Sequence, residues 1–116
     1  MAGIVFFRTT GRARLVEWYR TRVDASVWLE QPGCTILSHE GFRFGFCDAD
    51  ETEIEGILTF VYETRTAVET MHDRLGEAVR EEPHYNDQYD IYQFFAADPD
   101  GRTVEIQTFE HETPEI

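Results

Sequence analysis

The strongest constraint on the fold is an order of predicted elements, one strand, one helix and three more strands, that occurs twice along the chain. β-Branched and aromatic runs predict the strands, and apolar residues at helical spacing predict the helices. The first copy has the predicted elements 3–8, 11–22, 27–31, 34–40 and 42–48. The second copy has 56–62, 64–82, an irregular strand or loop at 84–90, and strands 91–97 and 103–109. The repeat predicts an α+β fold of two βαβββ modules.

Chain length and one acidic segment set the predicted domain organisation. Each half of the 116-residue chain is close to the lower limit for a self-sufficient core, so we predict a single domain over 1–116. Its two modules are expected at about 1–48 and 56–110, joined by the acidic linker 49–55. A ferredoxin-like α+β dimer is the alternative fold, but the repeated element order does not suit it.

The charge balance narrows the expected partners. The chain has 23 acidic and 10 basic residues, giving a net charge of −13, and every basic residue is arginine. Such a surface repels nucleic acid and anionic membranes, because both need a basic patch. The acids are spread along the chain, so we interpret them as a solvation device typical of salt-in halophiles; a cation-binding patch is the alternative. A signal peptide and a membrane-spanning run are not evident, and a cytoplasmic location is expected.

One face of the predicted sheets carries the candidate binding residues. Because side chains alternate along a strand, Phe6, Arg43, Thr59 and Glu105 fall on the face opposite the helices. An apolar and aromatic face with a few polar groups is typical of a small-molecule site. Glu105 is the candidate catalytic residue, as a general base or ligand anchor; an ion pair with an arginine is the alternative interpretation.

Two predicted hairpins complete this face. A two-residue turn at 40–41 would pair Cys34 with Cys47 in the first module. A four-residue turn at 98–101 would place Phe94 and Tyr92 opposite Glu105 and the residue two positions after it. The predicted ligand-binding residues are therefore Phe6, Arg43, Thr59, Tyr92, Phe94 and Glu105.

The two cysteines leave alternatives open. Cys34 and Cys47 could form a disulfide or offer a pair of thiols in the cleft. We favour two buried, reduced side chains, because free cysteine is commonly buried and a reducing cytosol keeps thiols reduced.

Two sequence runs carry a family resemblance that covers nearly the whole chain. They are IVFFRTTGRARLVEWY, with the aromatic pair Trp18-Tyr19 late in the first helix, and FFAADPDGRTVEIQTF, with a DPDG turn before an apolar-Glu-apolar strand. They resemble the vicinal oxygen chelate superfamily, which includes glyoxalases, bleomycin-resistance proteins and extradiol dioxygenases. The resemblance implies two modules whose sheet curls around a cleft, and often a homodimer.

The resemblance also implies where a metal would bind. In metal-dependent members the first and last strands of each module supply the ligands, and these positions fall on Ile4, Gly45, Ile57 and Glu105. Three of the four side chains have no lone pair to offer a metal. We therefore expect no metal and no other cofactor, as in the metal-free branch of the superfamily.

These observations predict metal-independent binding of a small, partly aromatic molecule in the cleft between the modules, in the manner of bleomycin-resistance proteins. The alternative is a metal-dependent lyase, isomerase or dioxygenase of the same superfamily, which would require a divalent metal. A dimerising structural domain with a closed cleft is a third interpretation. The sequence does not identify the ligand, and it does not decide between binding and catalysis.

Overall fold

The computed structural model describes residues 3–115, which form two compact units. The first unit contains the chain up to Glu55 together with Asp98–Arg102. The second contains Gly56–Ala97 and the chain from Thr103 onwards. Each unit has its own four-stranded mixed sheet and one α-helix. The predicted α+β fold of two βαβββ modules is confirmed, with the strands in two sheets rather than in one.

The first unit follows the predicted order closely. Strand β1, helix α1 and strands β2, β3 and β4 occupy Val5–Thr9, Arg12–Arg22, Ser26–Gln31, Cys34–His39 and Phe42–Asp48. The strand order is β1-β4-β3-β2, with β1 parallel to β4 and the other pairs antiparallel. A two-residue turn at Glu40-Gly41 pairs His39 with Phe42, which confirms the predicted register of this hairpin.

Tyr19 fixes helix α1 on the sheet of the first unit. Its ring lies 5.2 Å from the Phe44 ring and 5.4 Å from the Phe46 ring, and all three side chains are fully buried. Its hydroxyl donates a hydrogen bond to Asp98 Oδ2 at 2.7 Å. Burial, followed by the Asp98 carboxylate, raises the pKa of Tyr19 well above its ordinary value, so the hydroxyl keeps its proton. The aromatic pair and the DPDG turn, which carried the resemblance, thus meet in this contact.

The DPDG turn is held in the first unit by buried charges. Arg102 is completely buried, and its guanidinium donates to Asp98 Oδ2 at 2.7 Å. The same guanidinium lies over the Phe7 ring, 4.7 Å from the ring centre. Thr9 Oγ1 donates to Asp100 Oδ2 at 2.7 Å on the other side of the turn. Each buried charge therefore has an opposite charge or a hydrogen-bond donor beside it, as burial of ions requires.

The second unit repeats the order with one additional short helix. Strand β5, helix α2, a single 3-10 turn and strands β6, β7 and β8 occupy Ile57–Val61, Arg65–Leu75, Gly76–Ala78, His84–Asn86, Ile91–Ala97 and Thr103–Phe109. The strand order is β5-β8-β7-β6, with β5 parallel to β8 and the other pairs antiparallel. The first and last strands of the module are therefore neighbours, as in the first unit.

Helix α2 is shorter than predicted. It begins after Thr64, whose hydroxyl accepts a hydrogen bond from a backbone N–H of the first turn, as expected for an N-cap. It ends at Leu75, because Gly76 adopts φ +53°, which does not continue a right-handed helix. Val79, which lies within the predicted helix 64–82, instead forms an isolated bridge with Ala96 of β7.

The β7–β8 hairpin has a shorter loop than predicted. The Asp98 N–H donates to the Arg102 carbonyl at 3.0 Å, which leaves three loop residues, Pro99-Asp100-Gly101. Gly101 adopts φ +87°, the left-handed conformation that closes three-residue hairpin loops. The predicted pairing of these strands is therefore wrong by one residue, and Glu105 lies opposite Phe95.

The cysteines are joined in the first unit. Cys34 and Cys47 form a disulfide between β3 and β4, at the register predicted for them, with their Cα atoms 4.1 Å apart. The favoured interpretation of two reduced thiols is therefore wrong for this structure, because directly opposed side chains are close enough to bond. Along residues 3–115, no helix has the length and apolar character needed to cross a membrane.

Candidate functional site

An open groove of about 430 Å³ lies on one face of the second unit's sheet. Its apolar walls combine aliphatic and aromatic side chains, and its floor carries amides and one carboxylate. All of its lining residues belong to the second unit: Asn86, Tyr89, Ile91, Gln93, Phe95, Glu105, Gln107 and Phe109. None of these side chains is cysteine, histidine or arginine.

Glu105 is the centre of the polar floor. Its Oε1 accepts a hydrogen bond from Thr59 Oγ1 at 2.8 Å and a longer one from Gln107 Nε2 at 3.5 Å. Its Oε2 accepts a hydrogen bond from Gln93 Nε2. The carboxylate is half-buried and is held by three neutral donors. Such donors fix the position of the carboxylate and bring no positive charge to it.

The amide groups around Glu105 have a fixed polarity. An ionised carboxylate only accepts hydrogen bonds, so Gln93 and Gln107 must both turn their NH₂ groups towards it. The carbonyl of Gln93 is then satisfied by Asn86 Nδ2 at 2.7 Å. The orientation of Asn86 is fixed in turn, because its Oδ1 accepts from the Gln88 N–H at 3.0 Å. The Gln107 carbonyl oxygen, which is buried, has no partner.

The structure brings together two of the predicted site residues and separates two others. Thr59 and Glu105 are directly paired across β5 and β8. Phe94 is completely buried beneath helix α2, where its ring meets that of a histidine edge-on. Tyr92 also faces the helix, where its hydroxyl donates to Glu69 at 3.0 Å. The placement of Phe94 and Tyr92 on the binding face was wrong because the three-residue loop moves both side chains to the opposite face.

The groove residues that sequence reasoning missed follow from the same shift. Phe95 and Gln93 take the places assigned to Phe94 and Tyr92, opposite Glu105 and Gln107. The signal was present in the glycine of the DPDG turn, since a left-handed residue at that position favours the three-residue loop. Other groove residues come from the irregular segment between β6 and β7, whose path the sequence did not specify: Asn86 and Tyr89.

Phe6 and Arg43 lie on the sheet of the first unit. The Phe6 ring covers Gly45, so closely that a Cβ at that glycine would lie 2.7 Å from two ring atoms. The Arg43 guanidinium stacks on the Trp28 ring at 4.9 Å from its centre, and Arg43 Nε is buried without a hydrogen-bond partner. A role for these two residues in ligand binding stays a prediction.

The metal positions implied by the resemblance do not form a metal site in either unit. In the first unit they are Ile4 and Gly45, and in the second they are Ile57 and Glu105. Over the described range 3–115, no three histidine, cysteine, aspartate or glutamate side chains are grouped closely enough to hold a metal ion. A protein-bound divalent metal usually needs about three such ligands, so the residues present do not fit one.

The comparisons with known proteins agree with the geometry at the level of the fold. No protein-family model and no curated protein matches the chain. A glyoxalase/bleomycin resistance protein/dioxygenase family enzyme from Burkholderia phytofirmans PsJN superposes with a TM-score of 0.78 at 17% identity, covering 90% of this chain and 95% of that one. A glyoxalase/bleomycin resistance protein/dioxygenase from Nocardioides gives a TM-score of 0.75 at 16% identity, over 100% and 88% of the two chains.

An enzyme of the same fold is also similar. Lactoylglutathione lyase from Agrobacterium tumefaciens superposes with a TM-score of 0.76 at 17% identity, over 93% of this chain and 92% of that one. Identity at this level is informative about architecture and not about activity. The chain therefore has the fold of the glyoxalase/bleomycin resistance/dioxygenase proteins.

Proposed function

We propose that this protein binds a small, partly aromatic molecule without a metal, in the groove on the second unit's sheet. The observation that carries the proposal is the make-up of that groove, where aromatic walls surround one carboxylate held in place by neutral donors. Small-molecule sites typically combine apolar burial with a few oriented polar groups in this way.

The walls of the groove account for the aromatic part of the ligand. Phe95 and Ile91 form its inner surface, while Tyr89 and Phe109 are 60% and 42% exposed, respectively. Large exposed apolar side chains around a concave surface are unfavourable in water unless a ligand or partner covers them. A flat ring entering the groove would remove apolar surface on both sides from water.

The alternative, a metal-dependent lyase, isomerase or dioxygenase, has less support. Glu105 is the one metal-binding side chain among the four positions implied by the resemblance. Its oxygens accept hydrogen bonds from Thr59, Gln93 and Gln107, and among the described residues no other carboxylate, histidine or cysteine lines the groove to complete a metal site. Purification in high salt without chelator or nickel resin, followed by elemental analysis, tests this point. About one ion per chain would favour the metal-dependent alternative.

Binding itself is tested by calorimetric titration of chelator-treated protein with tryptophol, a neutral indole alcohol of suitable size. Replacing Phe95 by alanine should weaken binding on the order of tenfold, because it removes one aromatic wall. The matched control is Tyr85→Ala. Tyr85 is an exposed aromatic residue on the opposite, helix-bearing face, where it lies beneath Arg65 of helix α2.

The control variant should bind tryptophol like the unmodified protein. Equal losses in Phe95→Ala and Tyr85→Ala would count against the groove, as would tryptophol binding that appears only when a divalent metal is added.

The proposal extends to a homodimer working in a salt-rich cytoplasm. The net charge of −13 supports a salt-rich cytoplasm, since molar salt screens the repulsion between surface charges that are more than about 3 Å apart. Sedimentation equilibrium in molar potassium chloride measures the oligomeric state, and a monomer at all concentrations would exclude the dimer.

A further inference from the structure

We propose that the ligand carries a protonated amine, which it presents to Glu105 at the floor of the groove. The inference rests on the proposed function, because it names the chemical class of the molecule bound at that site. It follows from which hydrogen-bonding groups the floor leaves unsatisfied and from the charge that it leaves uncompensated.

Among residues 3–115, no basic side chain forms an ion pair with Glu105. Its contacts are a hydroxyl and two amides, from Thr59, Gln93 and Gln107. Within the described part of the chain, arginine and histidine side chains form ion pairs with other acids. Arg65 of the same unit, for example, forms two hydrogen bonds with Glu110. A half-buried carboxylate with only neutral donors attracts a cation more strongly than a surface carboxylate does.

The polar group of the groove floor that has no hydrogen-bond partner is an acceptor. Both glutamine NH₂ groups are turned towards Glu105, and the Gln93 carbonyl is taken by Asn86. This leaves the buried Gln107 carbonyl without a partner, next to the carboxylate. An unsatisfied buried acceptor is costly, and beside the carboxylate its partial negative charge favours a positive group in the groove over a negative one.

The three possible charge states of a ligand group then differ clearly. A carboxylate would meet the negative charge of Glu105 and would find its NH₂ donors already engaged. A hydroxyl supplies one hydrogen and no charge. A protonated primary amine supplies three hydrogens and a positive charge, so it can pair with Glu105 while its apolar body lies against Phe95 and Ile91.

The test compares three indoles of nearly equal size: tryptamine, tryptophol and indole-3-propionate. Their dissociation constants are measured by calorimetry with chelator-treated protein in 1 M potassium chloride, so that long-range attraction to the acidic surface is screened. We expect tryptamine to bind on the order of tenfold more tightly than tryptophol, with indole-3-propionate weakest.

Two variants with the same change in charge locate the effect. Glu105→Gln should bring the affinities for tryptamine and tryptophol to within about twofold of each other, because the shape is kept and the charge is lost. Glu112→Gln changes an exposed tail acid outside the groove and should keep the preference for the amine. If Glu105→Gln keeps the preference for tryptamine over tryptophol, that preference comes from the overall charge of the protein, and the inference is overturned.

The remaining outcomes separate this inference from the proposed function. Tryptophol binding that depends on Phe95, without any preference for tryptamine, would overturn the amine while leaving the proposed function intact. Absence of binding by all three indoles would overturn both. Tight binding of tryptamine that is lost in Glu105→Gln but kept in Glu112→Gln supports both the inference and the proposed function.

Discussion

The two units share one architecture but treat the same place in their sheets in opposite ways. In each unit the first strand runs parallel to the last, and one residue of the first strand lies directly opposite one residue of the last. In the first unit the pair is Phe6 and Gly45, and the aromatic ring covers the glycine. In the second the pair is Thr59 and Glu105, joined by a hydrogen bond of 2.8 Å. One face is closed by a side chain and the other is left polar and open.

The difference extends to how each unit is held together. The first unit contains a disulfide and a completely buried arginine with its carboxylate partner. The second unit contains the groove, where the buried Gln107 carbonyl oxygen has no partner among the described residues. Buried nitrogens without a partner also occur in the described part of the first unit, at Arg43 Nε and Arg102 Nε, but these do not line the groove. Functional sites commonly keep polar groups that would be unfavourable in a core. The comparison is consistent with the proposed function, in which the first unit would be the stable frame and the second would bind the ligand.

The largest expected effect comes from breaking the buried ion pair of the first unit. Replacing Arg102 by methionine leaves the Asp98 carboxylate buried without its cation, so the free energy of unfolding should fall by about 3–5 kcal/mol. Denaturant titration in molar salt measures this loss. In the control, Arg20→Met removes an arginine whose side chain is 54% exposed and paired with Glu17, and the expected change is below about 0.5 kcal/mol. Equal effects would refute the role given to the buried pair.

A smaller effect is expected from removing the disulfide of the first unit. Cys34 and Cys47 are 13 residues apart in sequence, and a cross-link of this span stabilises a protein by about 2–3 kcal/mol by restricting the unfolded chain. The double variant Cys34→Ser/Cys47→Ser should therefore unfold at lower denaturant concentration. Dithiothreitol should reproduce the shift in the unmodified protein and should have no effect on the double variant. If dithiothreitol leaves the unfolding of the unmodified protein unchanged, its thiols are free and the disulfide is not present in solution.

The smallest effect concerns the covered glycine. Gly45→Ala places a Cβ 2.7 Å from the Phe6 ring, and we expect a loss of about 1 kcal/mol, because the 48% exposed ring can move aside. Gly41→Ala is the control, since a Cβ there meets nothing within 4 Å. Adding Phe6→Ala to Gly45→Ala should recover much of the packing cost in a double-mutant cycle. Strictly additive effects would show that the ring does not cover the glycine in solution.

Sequence patterns determined most of the architecture, but of the six predicted site residues the structure brings together only Thr59 and Glu105. The repeated element order predicted both modules, and the two-residue turn at 40–41 predicted the register that brings Cys34 to Cys47. Local rules suffice for that hairpin because its turn fixes which residues face each other. Alternation along the strands predicted that Thr59 and Glu105 share a face, but their direct pairing across β5 and β8 was not predicted.

The failures have equally local causes. One glycine, Gly101, makes the β7–β8 loop one residue shorter than predicted, and a shift of one residue turns every side chain of β7 to the other face. Another, Gly76, ends helix α2 early. The oxidation of Cys34 and Cys47 could not be predicted, because geometry allows a disulfide but the redox compartment decides whether one forms.

The most direct test of the contrast between the units is to map tryptophol binding on chelator-treated, isotopically labelled protein by NMR. Our account expects the largest shifts at the side-chain amides of Gln93 and Gln107, which surround Glu105 in the second unit. The indole N–H of Trp28 and the Nε–H of Arg43 report on the face of the first unit. Shifts at Trp28 and Arg43 with unchanged Gln93 and Gln107 amides would contradict the account.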